Sequence, residues 1–146
     1  MQKTVLFIER IKTKTLFKLF TWFTRILLSI AFIPSGLKKL LGERFTNISV
    51  DNPVGFFFEG LYQTGFYWNF LGFMQLTCSL LILIPRTTYF AAILYIPIII
   101  NINIIVISMD FRGTPIITIL MLLANIYLLV WDYKKTNAIL SVLFKK

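Results

Sequence analysis

Residues 52–85, NPVGFFFEGLYQTGFYWNFLGFMQLTCSLLILIP, decide the fold. From Phe66 to Ile84 this stretch is an uncharged apolar run of 19 residues, and about 20 helical residues at ~1.5 Å each cross a ~30 Å hydrocarbon core. The residues before it are rich in aromatic side chains, which favour the membrane–water boundary. Gly55, Gly60 and Gly65 are five apart and share no helical face. We therefore expect a short interfacial or re-entrant segment, broken at these glycines, ahead of a membrane span.

Three further apolar runs are long enough to cross a membrane. With the first run they give four predicted spans, at residues 19–37, 66–84, 89–107 and 115–131. A spanning segment outside a closed barrel must be helical, because lipid offers the backbone no hydrogen-bond partner. The sequence therefore predicts an all-α fold, a four-transmembrane-helix bundle in which residues 1–146 form a single membrane domain.

The first span is the least regular of the four. Arg25 lies inside it, and a charge at this depth must reach the membrane boundary or pair with another group. Pro34 weakens the helix near its far end, and Lys38 and Lys39 are expected to mark its exit from the membrane. We therefore expect this helix to end near residue 37.

The composition and charge fit a chain that contacts lipid. Of the 146 residues, 58% are hydrophobic and 14% are charged, whereas a soluble domain is about half apolar and a quarter charged. The formal net charge is +9, but the basic residues flank the apolar spans instead of forming a separate face. This pattern indicates membrane topology and anionic lipid, so the expected partner is the lipid bilayer and no nucleic acid.

The basic residues also predict an orientation. Residues 1–18 form a basic amphipathic segment, and residues 132–146 form a basic tail. The side of the membrane that holds both termini carries 11 Lys and Arg, and the opposite side carries four. A cleaved signal peptide is the competing interpretation, but residues 33–35 offer no small-residue cleavage site. We therefore expect an integral protein of a bacterial inner membrane with both termini in the cytoplasm.

The chain lacks the residue types that several kinds of functional site require. Its one cysteine, Cys78, lies inside the second span, and it has no histidine. A single thiol can form neither an internal disulfide nor a redox pair. The absence of histidine excludes His-ligated haem, the commonest zinc sites and Ser–His or Cys–His catalysis. The sequence therefore predicts no metal site and no intrinsic cofactor, and it leaves any catalytic residues unknown.

Each span carries one polar stripe at helical spacing. A side-chain amide facing lipid is costly, so the stripes are expected to face one another. Four of their members lie near mid-membrane, namely Ser29, Gln75, Asn101 and Asn125. Two interpretations stay open: a set of interhelical hydrogen bonds, or a small polar pocket in which Gln75 points toward Asn101 or Asn125 and binds a ligand.

The charged residues form two further groups by their level in the membrane. Near the predicted cytoplasmic side lie Arg25 and Asp132, which form either an ion pair or, for Arg25, a simple snorkelling contact. Near the opposite side lie Lys39, Glu59, Asp110 and Arg112. This second group either makes charged pairs or consists of solvated loop charges.

Several short motifs give the chain a resemblance to a known family. Arg25 precedes an apolar run that leads into SGLKKL at residues 35–40, and the pattern continues with GFMQ at 72–75 and LLILIPR at 80–86. Over about residues 25–133 the chain resembles DoxX-like membrane proteins. The resemblance implies a four-helix bundle linked to membrane redox work, such as thiosulfate:quinone oxidoreductases or complexes that handle thiol stress. Many relatives carry Gly-x-x-Glu in the second span, where this chain has Gln75, so a role that needs that carboxylate does not carry over.

Two hypotheses about function follow. In the first, the protein is a non-catalytic subunit or ligand-binding membrane module with a mid-membrane polar pocket. In the second, which rests on the resemblance, it is the membrane component of a quinone-linked oxidoreductase system. A quinone would then be its cofactor, and a membrane or redox partner protein would hold any further redox centre.

Overall fold

The computed structural model describes residues 8–111 and 113–144, and every regular element in these ranges is helical. After a short helical stretch at residues 8–12, six helices follow. They are α1 (Thr15–Leu40), α2 (Pro53–Gln63), α3 (Phe66–Leu83), α4 (Thr88–Ser108), α5 (Thr114–Trp131) and α6 (Tyr133–Leu143).

Four of these helices are long and apolar enough to cross a membrane. They are α1, α3, α4 and α5, with 26, 18, 21 and 18 residues. At ~1.5 Å per residue the shortest is about 27 Å long, close to the thickness of a hydrocarbon core. The predicted all-α fold with four membrane-spanning helices is confirmed.

The four long helices pack in a ring around a shared core. The contact between α1 and α3 is the most extensive, followed by those of α4 with α5 and of α3 with α4, whereas α1 and α5 meet over a smaller area. Phe32 of α1 stacks on Tyr95 of α4 with ring centroids 4.2 Å apart. The core itself consists of Leu28, Phe32, Cys78, Ile82, Ala91, Ala92, Tyr95, Ile99 and Leu128.

Glycine residues allow the long helices α1 and α3 to cross closely. A Cβ atom added at Gly72 would lie 2.4 Å from the backbone nitrogen of Leu40 and 2.6 Å from the carbonyl oxygen of Gly36. Small residues let helix backbones approach this closely. The crossing therefore brings the last turns of α1 beside Gln75, which lies one turn beyond Gly72 on α3.

α1 continues past its predicted end. It passes through Pro34 and ends at Leu40, so Lys38 and Lys39 lie in its last turn. Neighbouring helices and local adjustments allow proline within membrane helices, and cations in a last turn complement the helix dipole. The helix thus extends three residues beyond the predicted span, which ended at residue 37, and Lys39 becomes part of the packed bundle.

The aromatic segment before α3 forms a separate short helix. α2 begins with Pro53 in its first turn, and the Asn52 side chain accepts a hydrogen bond from the Val54 amide at 2.9 Å. It has 11 residues, or about 16 Å, too few to cross a bilayer. The expected breaks at Gly55 and Gly60 were wrong, because both lie within this helix. Thr64 and Gly65 separate α2 from α3, and Gly65 has a φ of +57°.

Candidate functional site

The polar side chains at mid-bundle do not form one pocket. Ser29 and Ser79 join α1 to α3, because the Ser79 hydroxyl donates to the Ser29 carbonyl oxygen at 2.7 Å. Asn125 is fully buried and joins α5 to α4, with its amide nitrogen donating to the Ala92 carbonyl oxygen at 3.0 Å. Among the described residues, none of Ser29, Gln75, Asn101 and Asn125 hydrogen-bonds to another of the four.

Asn101 does not face the interior, contrary to the expectation. It is exposed on α4, and Asn103 is buried in its place. The Asn103 amide nitrogen donates to the Thr118 carbonyl oxygen at 3.1 Å, and the Thr118 hydroxyl donates to Asn103 Oδ1 at 2.9 Å. Residues two apart on a helix lie about 200° apart, so only one of the two asparagines can face α5.

The predicted Arg25–Asp132 ion pair does not form. Asp132 lies where α5 ends and α6 begins, and its carboxylate pairs with Lys12 at 3.6 Å and Lys135 at 3.0 Å. Arg25 is buried on α1 with its guanidinium 5.1 Å from the Trp22 ring centroid. Its Nε is enclosed and makes no hydrogen bond to a described residue. Lys12 and Lys135 are therefore the ion-pair partners of Asp132 in place of Arg25.

At the other end of the bundle, Glu59 pairs with a residue that the predicted group omitted. We call this the loop end, since it carries residues 41–65 between α1 and α3. Arg44 Nε and Nη2 donate to the two Glu59 oxygens at 2.8 and 2.9 Å, and Gln63 Nε2 donates at 2.7 Å. Hydrogen bonding from Arg44, with a smaller contribution from Gln63, lowers the pKa of Glu59 to about 2. Asp110 is exposed at φ +50°, and Arg112 lies outside the described residues.

Lys39 is the buried charge at the loop end. Its residue is only 7% exposed. Its ammonium hydrogen-bonds to the Ser35 hydroxyl and lies 3.4 Å from the Ser35 carbonyl oxygen. The ring centroids of Phe45 and Trp68 lie 4.6 and 5.2 Å from Nζ. Within the part of the chain that the structure describes, Lys39 makes no salt bridge.

A chain of hydrogen bonds fixes the direction of the Gln75 amide. An ammonium can only donate, so the Ser35 hydroxyl accepts from Lys39 and uses its own proton toward Gln75 Oε1, 3.4 Å away. The Gln75 NH2 group is then directed away from Ser35. In residues 8–111 and 113–144 no hydrogen bond occupies it. Lys39 and Gln75, which are linked through Ser35, therefore both keep N–H donors that no described residue occupies.

Aromatic side chains cover this region from the loop end. The Trp68 indole nitrogen donates to the Glu43 carbonyl oxygen at 2.9 Å, which fixes the ring beside Lys39. Phe45 packs on Phe58 of α2 at a centroid distance of 5.0 Å, and Tyr62 meets Trp68 edge-on at 6.4 Å. We call the group of Ser35, Lys39, Phe45, Trp68 and Gln75 the Lys39 site.

The sequence predicted one part of this site and missed another. It placed Gln75 inside the bundle and named Lys39 as a charge at this level. It did not connect them, nor did it assign a role to Ser35 or Phe45. One signal was available: the stripe on the first span consists of Arg25, Ser29, Phe32 and Gly36, and one further helical step of three residues reaches Lys39.

Four membrane-competent helices and a polar site beside one end of two of them define an integral membrane protein with an all-helical bundle. Family comparison agrees with this class. The DoxX family profile matches residues 20–108, which run from α1 to the end of α4, so the chain belongs to the DoxX family. The chain is also similar to the uncharacterized protein YwoB of Bacillus subtilis (strain 168), with 32% identity over 110 residues, or 71% of each chain. No solved structure matches it.

Proposed function

We propose that this DoxX-family protein is a non-catalytic membrane subunit that binds a lipophilic ligand, and that the ligand's headgroup lies in the Lys39 site. The observation that carries the proposal is the buried Lys39 ammonium, which makes no salt bridge within the described residues. Buried charges in proteins are usually paired, because desolvating an isolated ion is costly. A ligand with hydrogen-bond acceptors would supply the missing partner.

The direction of the Lys39 side chain supports a binding role. A lysine near a helix end within a membrane ordinarily extends toward water, because the ammonium is strongly hydrated. Lys39 instead reaches back to Ser35, one turn further into the bundle. Contacts with the Phe45 and Trp68 rings offset part of the desolvation cost. The Lys39 ammonium therefore points toward the interior of the bundle, where a ligand in the membrane would contact it.

The proposed site lies closer to the loop end than the mid-membrane pocket that the sequence predicted. Gln75 remains a member, but its neighbours are Ser35 and Lys39 instead of Asn101 and Asn125. Ser35 lies five residues from the end of α1, or about 8 Å. This depth matches a headgroup near the membrane boundary, with an apolar tail among the exposed apolar side chains of α1 and α3.

We also propose an orientation for the protein in a bacterial inner membrane. The excess of Lys and Arg near the termini places both termini in the cytoplasm under the positive-inside rule. The Lys39 site then opens toward the opposite leaflet. A ligand would reach it from that leaflet, and membrane or redox partner proteins would meet α2 on the same side.

A second candidate function is the membrane component of a quinone-linked oxidoreductase. The donors of Lys39 and Gln75 fit the carbonyl oxygens of a quinone ring, and Phe45 and Trp68 offer flat apolar faces beside them. A bound quinone would supply the electron-transfer chemistry. The residues of this chain would bind the ring, orient it and shield it from water.

Ligand content tests the proposal directly. Native mass spectrometry and lipid extracts should be compared for the wild-type protein and for Lys39→Met and Lys38→Met, all purified in a mild detergent. Lys38 is the matched control, because it is the adjacent lysine and is exposed. We expect a co-purifying amphiphile or quinone in the wild type and in Lys38→Met, and its loss from Lys39→Met. Equal ligand content in all three proteins, or no ligand in any, would refute the proposed site.

A further inference from the structure

We infer that the headgroup in the Lys39 site is a carboxylate, so that the ligand is an anionic amphiphile of the fatty-acid class. This inference rests on the proposed function and specifies its ligand. Three features of the site carry it: the balance of charge at the loop end, the unoccupied donors of Lys39 and Gln75, and the side chains packed around the ammonium.

The acidic side chains of the loop end do not neutralise Lys39. Glu59 is held by two donors of Arg44 and one of Gln63. Asp51 accepts a hydrogen bond from the Ser49 hydroxyl at 2.8 Å, and both Glu43 and Asp110 are exposed. None of these four carboxylates makes a salt bridge with Lys39. The described part of the site therefore carries one positive charge, which one anionic headgroup would balance.

Two donors on neighbouring helices keep N–H groups that no described residue occupies. The Lys39 ammonium donates to the Ser35 hydroxyl, which donates in turn to Gln75 Oε1, so the Gln75 NH2 group points away from Ser35. The carboxylate of the inferred ligand would accept from the ammonium, and its second oxygen would be available to the Gln75 NH2 group. Charge-assisted hydrogen bonds are roughly twice as strong as neutral ones. A neutral carbonyl would satisfy a donor but leave the buried charge unbalanced.

The surroundings of the ammonium favour a small, flat headgroup. The ring centroids of Phe45 and Trp68 lie 4.6 and 5.2 Å from the ammonium, and Ser35 is hydrogen-bonded to it. Gly72 and Gly36 bring the backbones of α1 and α3 together beside the site, where an added methyl group would clash. A three-atom carboxylate needs less room beside these groups than a phosphodiester with its glycerol and second acyl chain.

Fluorescence of Trp68 gives a local readout of binding. In a Trp22→Phe/Trp131→Phe background, Trp68 is the only remaining tryptophan of the sequence. Dodecanoate, dodecanol and a decyl-substituted benzoquinone should each be titrated into this protein in a nonionic detergent. We expect saturable binding of dodecanoate and at least about tenfold weaker binding of dodecanol and of the quinone, a difference of about 1.4 kcal/mol.

The Gln75→Glu variant distinguishes a loss of binding caused by charge balance from a loss caused by general damage to the site. The new carboxylate would lie beside Ser35 and Lys39 and supply an internal counterion. We expect it to weaken dodecanoate binding at least about tenfold while the thermal unfolding temperature stays equal or rises. Lys39→Met should also lose dodecanoate binding, whereas Lys38→Met should bind within about twofold of the parent.

The outcomes distinguish the inference from the proposed function. If dodecanol or the quinone binds as tightly as dodecanoate and Lys39→Met loses this binding, the ligand site is supported but the inference of a carboxylate headgroup is wrong. If Gln75→Glu folds and binds dodecanoate as well as its parent does, the carboxylate is also wrong. If none of the three probes binds, the proposed function is refuted as well. The comparison of dodecanoate with dodecanol on the parent protein decides the inference even where a variant fails to fold.

Discussion

A single methyl group at Gly72 tests whether the α1–α3 crossing holds the Lys39 site together. In Gly72→Ala the new Cβ would lie 2.4 Å from the Leu40 nitrogen, 2.6 Å from the Gly36 carbonyl oxygen and 2.8 Å from the Lys39 Cβ. Two of these atoms are backbone and cannot rotate away. The two helices must therefore separate by about 1 Å to restore ordinary contact distances of ~3.5 Å.

The cost of this separation follows from similar changes in packed cores. An extra methyl group in a well-packed interior destabilises a protein by about 1–3 kcal/mol. For a chain of this size, each kcal/mol lowers the unfolding temperature by roughly 4 °C. We therefore expect Gly72→Ala to unfold about 4–12 °C below the wild type in detergent and to lose ligand binding at the Lys39 site.

Gly60→Ala is the matched control for this measurement. Gly60 also lies within a helix, but an added Cβ there meets nothing within 4 Å. Alanine is the better helix former by about 1 kcal/mol, so this variant should be as stable as the wild type or slightly more stable. Equal unfolding temperatures for the two variants would refute the close crossing, and with it the position of Lys39 beside Gln75.

Three further predictions concern other parts of the chain. The pKa of Glu59, about 2, lies below its ordinary value of 4.5, so its contact with Arg44 contributes fully above about pH 4.5 and is lost progressively as the pH falls from there through about 2. Hydrogen exchange of residues 53–63 should therefore show equal protection at pH 5 and pH 7 once intrinsic rates are corrected, and Glu59→Gln should lower it. Asn103→Leu should destabilise the protein by about 1 kcal/mol in thermal unfolding, whereas Asn101→Leu should have little effect; the reverse order would contradict the position of α4. Alkaline phosphatase should be active when fused within residues 43–52 and inactive at the C terminus, and the opposite pattern would overturn the orientation.

The sequence was sufficient to predict the long helices because length and apolarity alone determine them. An apolar run such as residues 66–84 has few possible structures other than a helix, because in lipid the backbone must satisfy its own hydrogen bonds. The corresponding helix, α3, begins at Phe66 and ends at Leu83. The same reasoning could not locate the end of α1, because neighbouring helices decide whether a helix continues past a proline such as Pro34.

The rotation of each helix was harder to predict than its existence. α4 is apolar on all faces, so its sequence gives no strong preference for the side that meets its neighbours. Asn101 was the residue expected in the interior, but Asn103 is buried there instead and pairs with Thr118. Gln75 was placed correctly inside the bundle because the small residue Gly72 shares its face.

The Lys39 site could be predicted only in part because it depends on tertiary contacts. Lysines at the end of an apolar run ordinarily mark a membrane boundary, and only the helical spacing of the polar stripe on the first span distinguishes Lys39 from Lys38. The burial of Lys39 follows from the close approach of Gly36 and Gly72 and from the rings that cover it. Likewise, Arg44 and Glu59 lie 15 residues apart and meet only because α2 folds back toward the end of α1.

The most direct measurement of the central claim is the distance between a bound headgroup and Lys39. Dodecanoate labelled with ¹³C at its carboxylate can be added to protein carrying ¹⁵N at the lysine side chains, and solid-state NMR reports their dipolar coupling. We predict a coupling that corresponds to a carbon–nitrogen distance within about 4 Å, present in the wild type and in Lys38→Met and absent from Lys39→Met. A coupling that persists in Lys39→Met, or none in the wild type, would contradict the assignment of Lys39 as the ligand's partner.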